Sequence, residues 1–456
     1  MVLRGTMVGW VLFLALRLSA QEDGIRYSDN VYTDDIRSVK FHVDGLLASM
    51  PILELGRGGS LLLSFDDMRD SYVGYTYTIV HCNADWQPSG LTEFEYIDGF
   101  ASQRIEQFEY SFKAKSIYTH YRLWIPNEDL RLTKSGNYLL LVYEDNRSKR
   151  LAISRRFMLV DPKVKIIPAV TRPAVVNKAN THQEVDFTVY NERFEIRNPR
   201  QELTAVVLQN GRWDSAIGDL KPLFSRPEEQ RFDYQDKIVF EAGKEFRYAD
   251  LRGLRFVAPG IQSVSYDEGR YEVWMEPDRK RGNMAYFESF DLNGHFIIEN
   301  GDESDRLSIE RIVAAENGNT ADLVANAELA QMDVHDLQSE YIDVLFSLYS
   351  PTEYEGSAVY IIGGLSDWQL QERFRMTYNP AISSYVAKVS LKQGYYDYLY
   401  TLVPTGASRG DIAETEGNWY ETDNNYTILV YFRPFGGRYD QLIGVRSFSS
   451  RFSGNR

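Results

Sequence analysis

Apolar and polar positions alternate with a period of two through most of the chain, and sustained apolar stripes at helical spacing are almost absent. Tyr75 to Cys82 reads Y-T-Y-T-I-V-H-C, and Tyr341 to Tyr349 reads Y-I-D-V-L-F-S-L-Y before Pro351 stops it. Successive side chains of a strand point to opposite faces, so such runs predict strands with one face in a core. The predicted class is all-β, with short strands separated by turn residues. A glycine two residues ahead of a tyrosine opens an apolar run at Gly136-Asn137-Tyr138, Gly269-Arg270-Tyr271 and Gly394-Tyr395-Tyr396. Those intervals suit a sandwich of about 100 or more residues, so three immunoglobulin-like β-sandwich domains in series are expected.

Breaks in the pattern set the expected boundaries. Met1 to Ala20 has Arg4 in a short basic start, an apolar run from Met7 to Leu16, and Leu18-Ser19-Ala20 as a cleavage site, the pattern of a secretory signal peptide. Gln21, not cysteine, follows that site, so no lipid anchor is expected. A first sandwich over 25–161 is ended by Asp161-Pro162, and a second is expected over 162–301. Residues 302–340 carry no aromatic residue and ten acidic against two basic side chains, which predicts a solvated linker with a helical turn or two around Ala321 to Met332. The third sandwich is expected over 341–448 and a tail over 449–456.

A net charge of −15 argues against nucleic acid and anionic lipid as partners, because both would repel the chain. One cysteine cannot form an internal disulfide, so stability must come from buried area. With no later apolar run long enough to cross a bilayer, an exported, soluble chain without direct membrane insertion is expected.

Candidate chemistry centres on His81, Cys82 and Asp85. Strand parity sends His81 and Cys82 to opposite faces, so His81 cannot take the thiol proton, and Cys82 is expected to be a buried structural residue. Asn83-Ala84-Asp85 reads as a turn with Asp85 capping backbone amides and Trp86 closing over the core edge. The six histidines, His42, His81, His120, His182, His295 and His335, show no close metal-binding spacing, and no nucleophile elbow, phosphate loop or calcium loop is present. Paired carboxylates such as Asp66-Asp67 and Glu228-Glu229 are expected on the solvated surface. No catalytic, metal or cofactor residue is assigned, and no enzyme is expected. Asn210-Gly211 supplies the two positive-φ positions of a type I′ turn after Thr204 to Gln209, and Gly243 permits a bend before Phe246.

The third unit resembles the early-set immunoglobulin-type sandwiches of starch- and glycogen-binding modules. Val359 to Trp368 matches a strand running into a loop that ends Asp-Trp, with Trp419 in a later loop. That resemblance implies glycan stacking on Trp368 and Trp419, the alternative reading of the chain; a secreted hydrolase is a third class. Over the whole chain the ordered motifs are similar to the plug protein family of the bacterial type IX secretion system, found in Bacteroidetes. The resemblance rests on His81-Cys82-Asn83-Ala84-Asp85-Trp86-Gln87-Pro88-Ser89, Glu95 to Phe100, Tyr118-Thr119-His120-Tyr121, Ser135 to Tyr138, Gln209 to Trp213, Ala242 to Arg247, Glu421 to Tyr426, Val430 to Arg433 and Gly437 to Asp440. It implies a non-enzymatic periplasmic protein that docks on the outer-membrane translocon barrel and closes its periplasmic opening. Trp368, Trp419, Tyr420, Arg433 and Arg438 are the candidate partner contacts, and Arg438 is expected to pair with Asp440.

Overall fold

The computed structural model describes residues 24–147, 149–302, 309, 312 and 336–452. The expected signal peptide, most of the linker with its helical turns, His335 and the end of the tail lie outside the described residues. What is described is nearly all β in several sheets, as the alternation predicts.

The chain first builds β1 (Ile36–Val43), β2 (Leu61–Asp67), β3 (Tyr75–Cys82), β4 (Gln107–Tyr110), β5 (Thr119–Ile125), β6 (Gly136–Glu144) and β7 (Leu151–Val160). One sheet runs β1-β2-β5-β4, and β7-β6-β3 forms the centre of the other. The register puts Leu140 beside Ile79 and Val142 beside Tyr77. These residues meet Leu61, Leu63, Phe65, Tyr121, Leu123 and Ile125 across the gap. Phe65 stacks on Tyr121 at 5.0 Å and meets Tyr75 edge-on at 5.2 Å, contacts worth about 0.5–1.5 kcal/mol each beyond area burial.

A second core starts with β8 (Lys165–Thr171), β9 (His182–Tyr190) and β10 (Leu203–Gln209). The chain then leaves it for a ten-stranded sheet that includes β11 (Arg247–Asp250), β12 (Ile261–Asp267), β13 (Arg270–Met275), β14 (Tyr341–Tyr349), β15 (Ser357–Ile362), β16 (Ser384–Lys392) and β17 (Gly394–Pro404). These strands curl round one core from Ala249 to Tyr400. Only afterwards does the chain return with β18 (Asn425–Phe432) and β19 (Gln441–Ser449), and β18 pairs antiparallel with β10, Val206 opposite Leu429. The second core therefore joins Ile166–Phe240 to Tyr426–Phe448.

The serial boundaries at 162–301 and 341–448 are thus corrected. The third unit is threaded into the second, and strands before and after the linker share one sheet. Periodicity reveals which face of a strand is buried but not which strand it pairs with. The glycine-tyrosine signature likewise does not mark three sandwiches, because β13 and β17 lie in the same sheet.

Two sheets are buried on both faces, which explains the unbroken apolar runs of β6, β10 and β18. Tyr138, Leu140 and Val142 fill the first core, whereas Leu139 and Leu141 meet Leu208, Leu429, Tyr431 and Leu442 of the second unit. In β18, Ile428 and Val430 face inward while Leu429 and Tyr431 face this seam. The Tyr431 hydroxyl donates to Asn137 Oδ1 at 2.8 Å inside it. First and second units are therefore joined by a core-like layer.

Candidate functional site

As strand parity predicts, His81 and Cys82 point to opposite faces of their strand. His81 lies in the first unit between the rings of Tyr138 at 4.8 Å and Tyr439 at 5.3 Å, with Nε2 3.2 Å from the Ser135 carbonyl. Burial lowers its pKa to about 4, so it stays neutral. Cys82 points into the seam with Trp86, Leu139 and Met158, and burial pushes its thiol up to about 12. A thiol at that value supplies almost no thiolate at neutral pH. The turn forms as expected, with the Gln87 N–H donating to Asp85 Oδ1 at 3.0 Å. Among the described residues no group of three or more His, Cys, Asp or Glu side chains could hold a metal ion.

A cleft of about 480 Å³ opens where all three units meet. The first unit contributes Asp29, Lys40, Arg155 and Arg156, the second Trp213, and the third Trp368. Arg156 lies 4.5 Å from the Trp86 ring and 5.2 Å from Trp213, and those indoles meet edge-on at 4.9 Å. Its main-chain N–H donates to Asp29, whose carboxyl is raised by burial against the lowering pull of Arg155 and Arg156. Arg155 reaches across to Asp367 at 3.1 Å, and Lys40 donates to the Phe296 carbonyl at 2.6 Å. His295 is held near pKa 4 by burial and by Lys40. The cationic side chains that line the cleft already bind protein groups, so it acts as a clamp between units.

Each partner-contact candidate is engaged within the chain. Trp368 packs edge-on to Phe246 at 5.8 Å, and the Arg212 guanidinium lies 4.1 Å from its ring. Trp419 stacks on Tyr286 at 5.8 Å, and its main-chain N–H donates to the Gly243 carbonyl. Tyr420 bridges to the second unit, with Arg172 4.0 Å over its ring and Gln183 donating to its carbonyl. Arg433, not Arg438, pairs with Asp440, at 2.8 Å. Arg438 instead reaches Glu95 and the Gly90 carbonyl of the first unit. The two tryptophans expected to stack on one glycan share no ring contact.

The carboxylates read as solvated surface include a fully buried pair. Asp66 and Asp67 are both 0% exposed. Asp67 is held by Arg69 at 2.8 Å and by the Tyr75 hydroxyl. Asp66 accepts from Lys392 Nζ and from the Tyr341 hydroxyl, each at 2.7 Å, and lies 2.6 Å from His120 Nδ1. Lys392 and Tyr341 belong to the third unit, so this cluster locks the first unit to the third. Burial alone would raise the Asp66 carboxyl, but Lys392 and His120 hold it down at about 2.

Comparison with known proteins gives this arrangement a family. Residues 36–161 match the first domain of the type 9 secretion system plug protein. A crystal structure of a hypothetical protein from Parabacteroides merdae is 31% identical, with a TM-score of 0.82 over 93% of this chain and all of that one. The chain belongs to the type 9 secretion system plug protein family. No curated protein matches it.

The matched plug domain is the one that holds Asp66, Arg155 and Arg156, so it carries one side of each clamp. Family and fold point to a structural, non-catalytic protein. Its raised carboxyls have packing causes. Asp397 Oδ2 accepts the N–H groups of Leu292 and Gly294, and Asp291 Oδ2 accepts that of Phe246. Burial raises both acids, and the charge of Asp291 raises Asp397 further. Together they pin the 291–295 turn beneath Trp368.

Proposed function

We propose that this plug-family chain is a periplasmic protein that binds the outer-membrane translocon barrel of the type IX secretion system and closes its periplasmic opening. The match of residues 36–161 to the plug protein's first domain carries this reading. The architecture supports it: a stopper must resist deformation, and here three cores are joined by an apolar seam, a buried ion pair and an ion pair that bridges the cleft. Among the described residues no helix is long and apolar enough to cross a membrane, which fits attachment through a protein partner. Releasable interfaces rely on a few aromatic or arginine anchors within a polar rim, and an acidic chain with exposed rings such as Tyr72, Tyr110 and Trp419 suits that chemistry.

The test is capture of the tagged mature chain from gently solubilised outer membranes. A very large barrel protein should co-purify, and its absence would remove the reading. Deletion of the gene should raise permeability to large antibiotics; unchanged sensitivity would count against channel closure.

A further inference from the structure

The strand β4 is an edge of its sheet. It pairs only with β5 on one side. The Ser111 N–H donates to the Tyr118 carbonyl, which fixes the phase of the ladder: Gln107 and Glu109 turn their amides to β5, and Phe108 and Tyr110 turn theirs outward. The next outward amide, that of Phe112, donates to the Leu337 carbonyl at 2.8 Å, so this edge already accepts an extended carbonyl at its end. Among the described residues the outward backbone groups of Phe108 and Tyr110 have no hydrogen-bond partner.

Side chains mark the same place. All four residues of β4 are exposed. Phe108 and Tyr110 share one face at 6.0 Å between rings, with Tyr72 4.6 Å from Phe108 and Phe112 and Ile117 exposed just beyond. On the opposite face Glu109 stays largely exposed, with Arg122 only at 3.9 Å. Natural edges are blunted with proline or polar residues. Pro168 does this in β8, and Gln262, Ser263, Ser265 and Asp267 do it in β12. In β4 the polar side chains, Gln107 and Glu109, lie on the face opposite Phe108 and Tyr110, and no proline interrupts the strand.

We propose that the outer edge of β4 is a docking strand, and that its occupant is an extended segment of the secretion-system partner, with apolar side chains either side of a basic one. The occupant's backbone pairs with Phe108 and Tyr110, its apolar side chains cover those rings, and its basic side chain meets Glu109. This rests on the plug reading for the partner's identity.

Two experiments keep the failures apart. In capture from solubilised outer membranes, Tyr110→Pro removes an outward N–H without touching the β5 ladder, and Glu109→Lys reverses the charge. Each should lower recovery of the large barrel protein at least about tenfold at unchanged thermal stability, whereas Phe94→Ser, at a distant exposed ring, should not. Recovery equal to that of the unaltered chain overturns the docking strand, while failure of the unaltered chain to recover any barrel overturns the plug reading instead. Independently of the partner, amide exchange is measured on the purified chain with the probe peptide acetyl-Thr-Val-Lys-Val-Lys-Val-Thr-amide. The amides of Phe108 and Tyr110 should slow at least about tenfold while those of Gln107 and Glu109 stay unchanged, and unaltered exchange at the first two overturns the inference.

Discussion

Replacing Lys392 by methionine should loosen the junction between the first and third units more than any other single change of charge. Lys392 is 1% exposed and Asp66 is 0% exposed, and they meet at 2.7 Å. Methionine fills most of the lysine volume, so the loss is electrostatic rather than a cavity. It leaves Asp66 charged and buried, with only the Tyr341 hydroxyl and His120 to stabilise it. Removing one partner of a buried pair costs about 3–5 kcal/mol, a large fraction of the stability of an ordinary domain. Urea unfolding should show that loss in the transition that exposes β2 and β16. The double variant Asp66→Asn/Lys392→Met should recover at least half of it, since no charge is then stranded and Asn keeps an acceptor for Tyr341. Acid has a matching effect. The folded pKa of Asp66 lies near 2, below its unfolded value near 4, so its contribution is complete above pH 4 and disappears as pH falls toward 2. That lowering corresponds to about 2–3 kcal/mol. A Lys392→Met loss below about 1 kcal/mol, or strictly additive single losses, would refute the lock.

Three further outcomes are expected. Cys82 should react with a thiol reagent only as fast as the chain opens, because its thiol is buried and raised to about 12; rapid reaction of the folded protein would contradict its place in the seam. Gly294→Ala should cost about 2–4 kcal/mol in thermal unfolding, since φ is +85° and a Cβ there would press on the Trp368 ring and lie 2.8 Å from Phe246; Trp368→Leu should relieve part of that cost, and additive losses would exclude the contact. Asp397→Asn should become more stable relative to the unaltered chain as pH rises. A carboxyl raised by folding loses stability upward from its unfolded pKa, whereas asparagine keeps its acceptor for Leu292 and Gly294 without a charge; a pH-independent difference would count against it.

The all-β class was legible because alternation survives wherever one face meets a core, as in β3. Parity also resolved His81 from Cys82 without coordinates. The nested order was not legible. Residues 427–432, Thr-Ile-Leu-Val-Tyr-Phe, announce in hindsight a strand buried on both faces, which an edge of the third unit could not accommodate. Asp66 was misread because neighbouring carboxylates usually are solvated, and its partner Lys392 lies 326 residues away. The candidate anchors were chosen as loop aromatics and arginines, the types that also close seams between units. Nothing local distinguishes an arginine that meets another protein from one that meets another part of its own chain.

On the proposed reading of channel closure, those seams bear on how the chain leaves. Domain interfaces within a chain are commonly polar enough to allow relative motion. Here rotation of the first unit against the third would have to separate Asp66 from Lys392 and Arg155 from Asp367, while motion against the second would expose the apolar layer from Leu139 to Leu442. The second and third units are further tied by two chain passes, one between β10 and β11 and one between β17 and β18, so a single flexible link cannot act as a hinge. Departure as one body requires only the outer contacts to break. Cross-linking the first unit to the third, through cysteines introduced at the exposed Lys115 and Tyr266, whose side chains meet with the ammonium 3.4 Å from the ring, and joined by a thiol-reactive linker that carries a reducible disulfide, should therefore leave channel closure and secretion intact. Loss of secretion in the cross-linked form and its return on reduction would show instead that the units must separate.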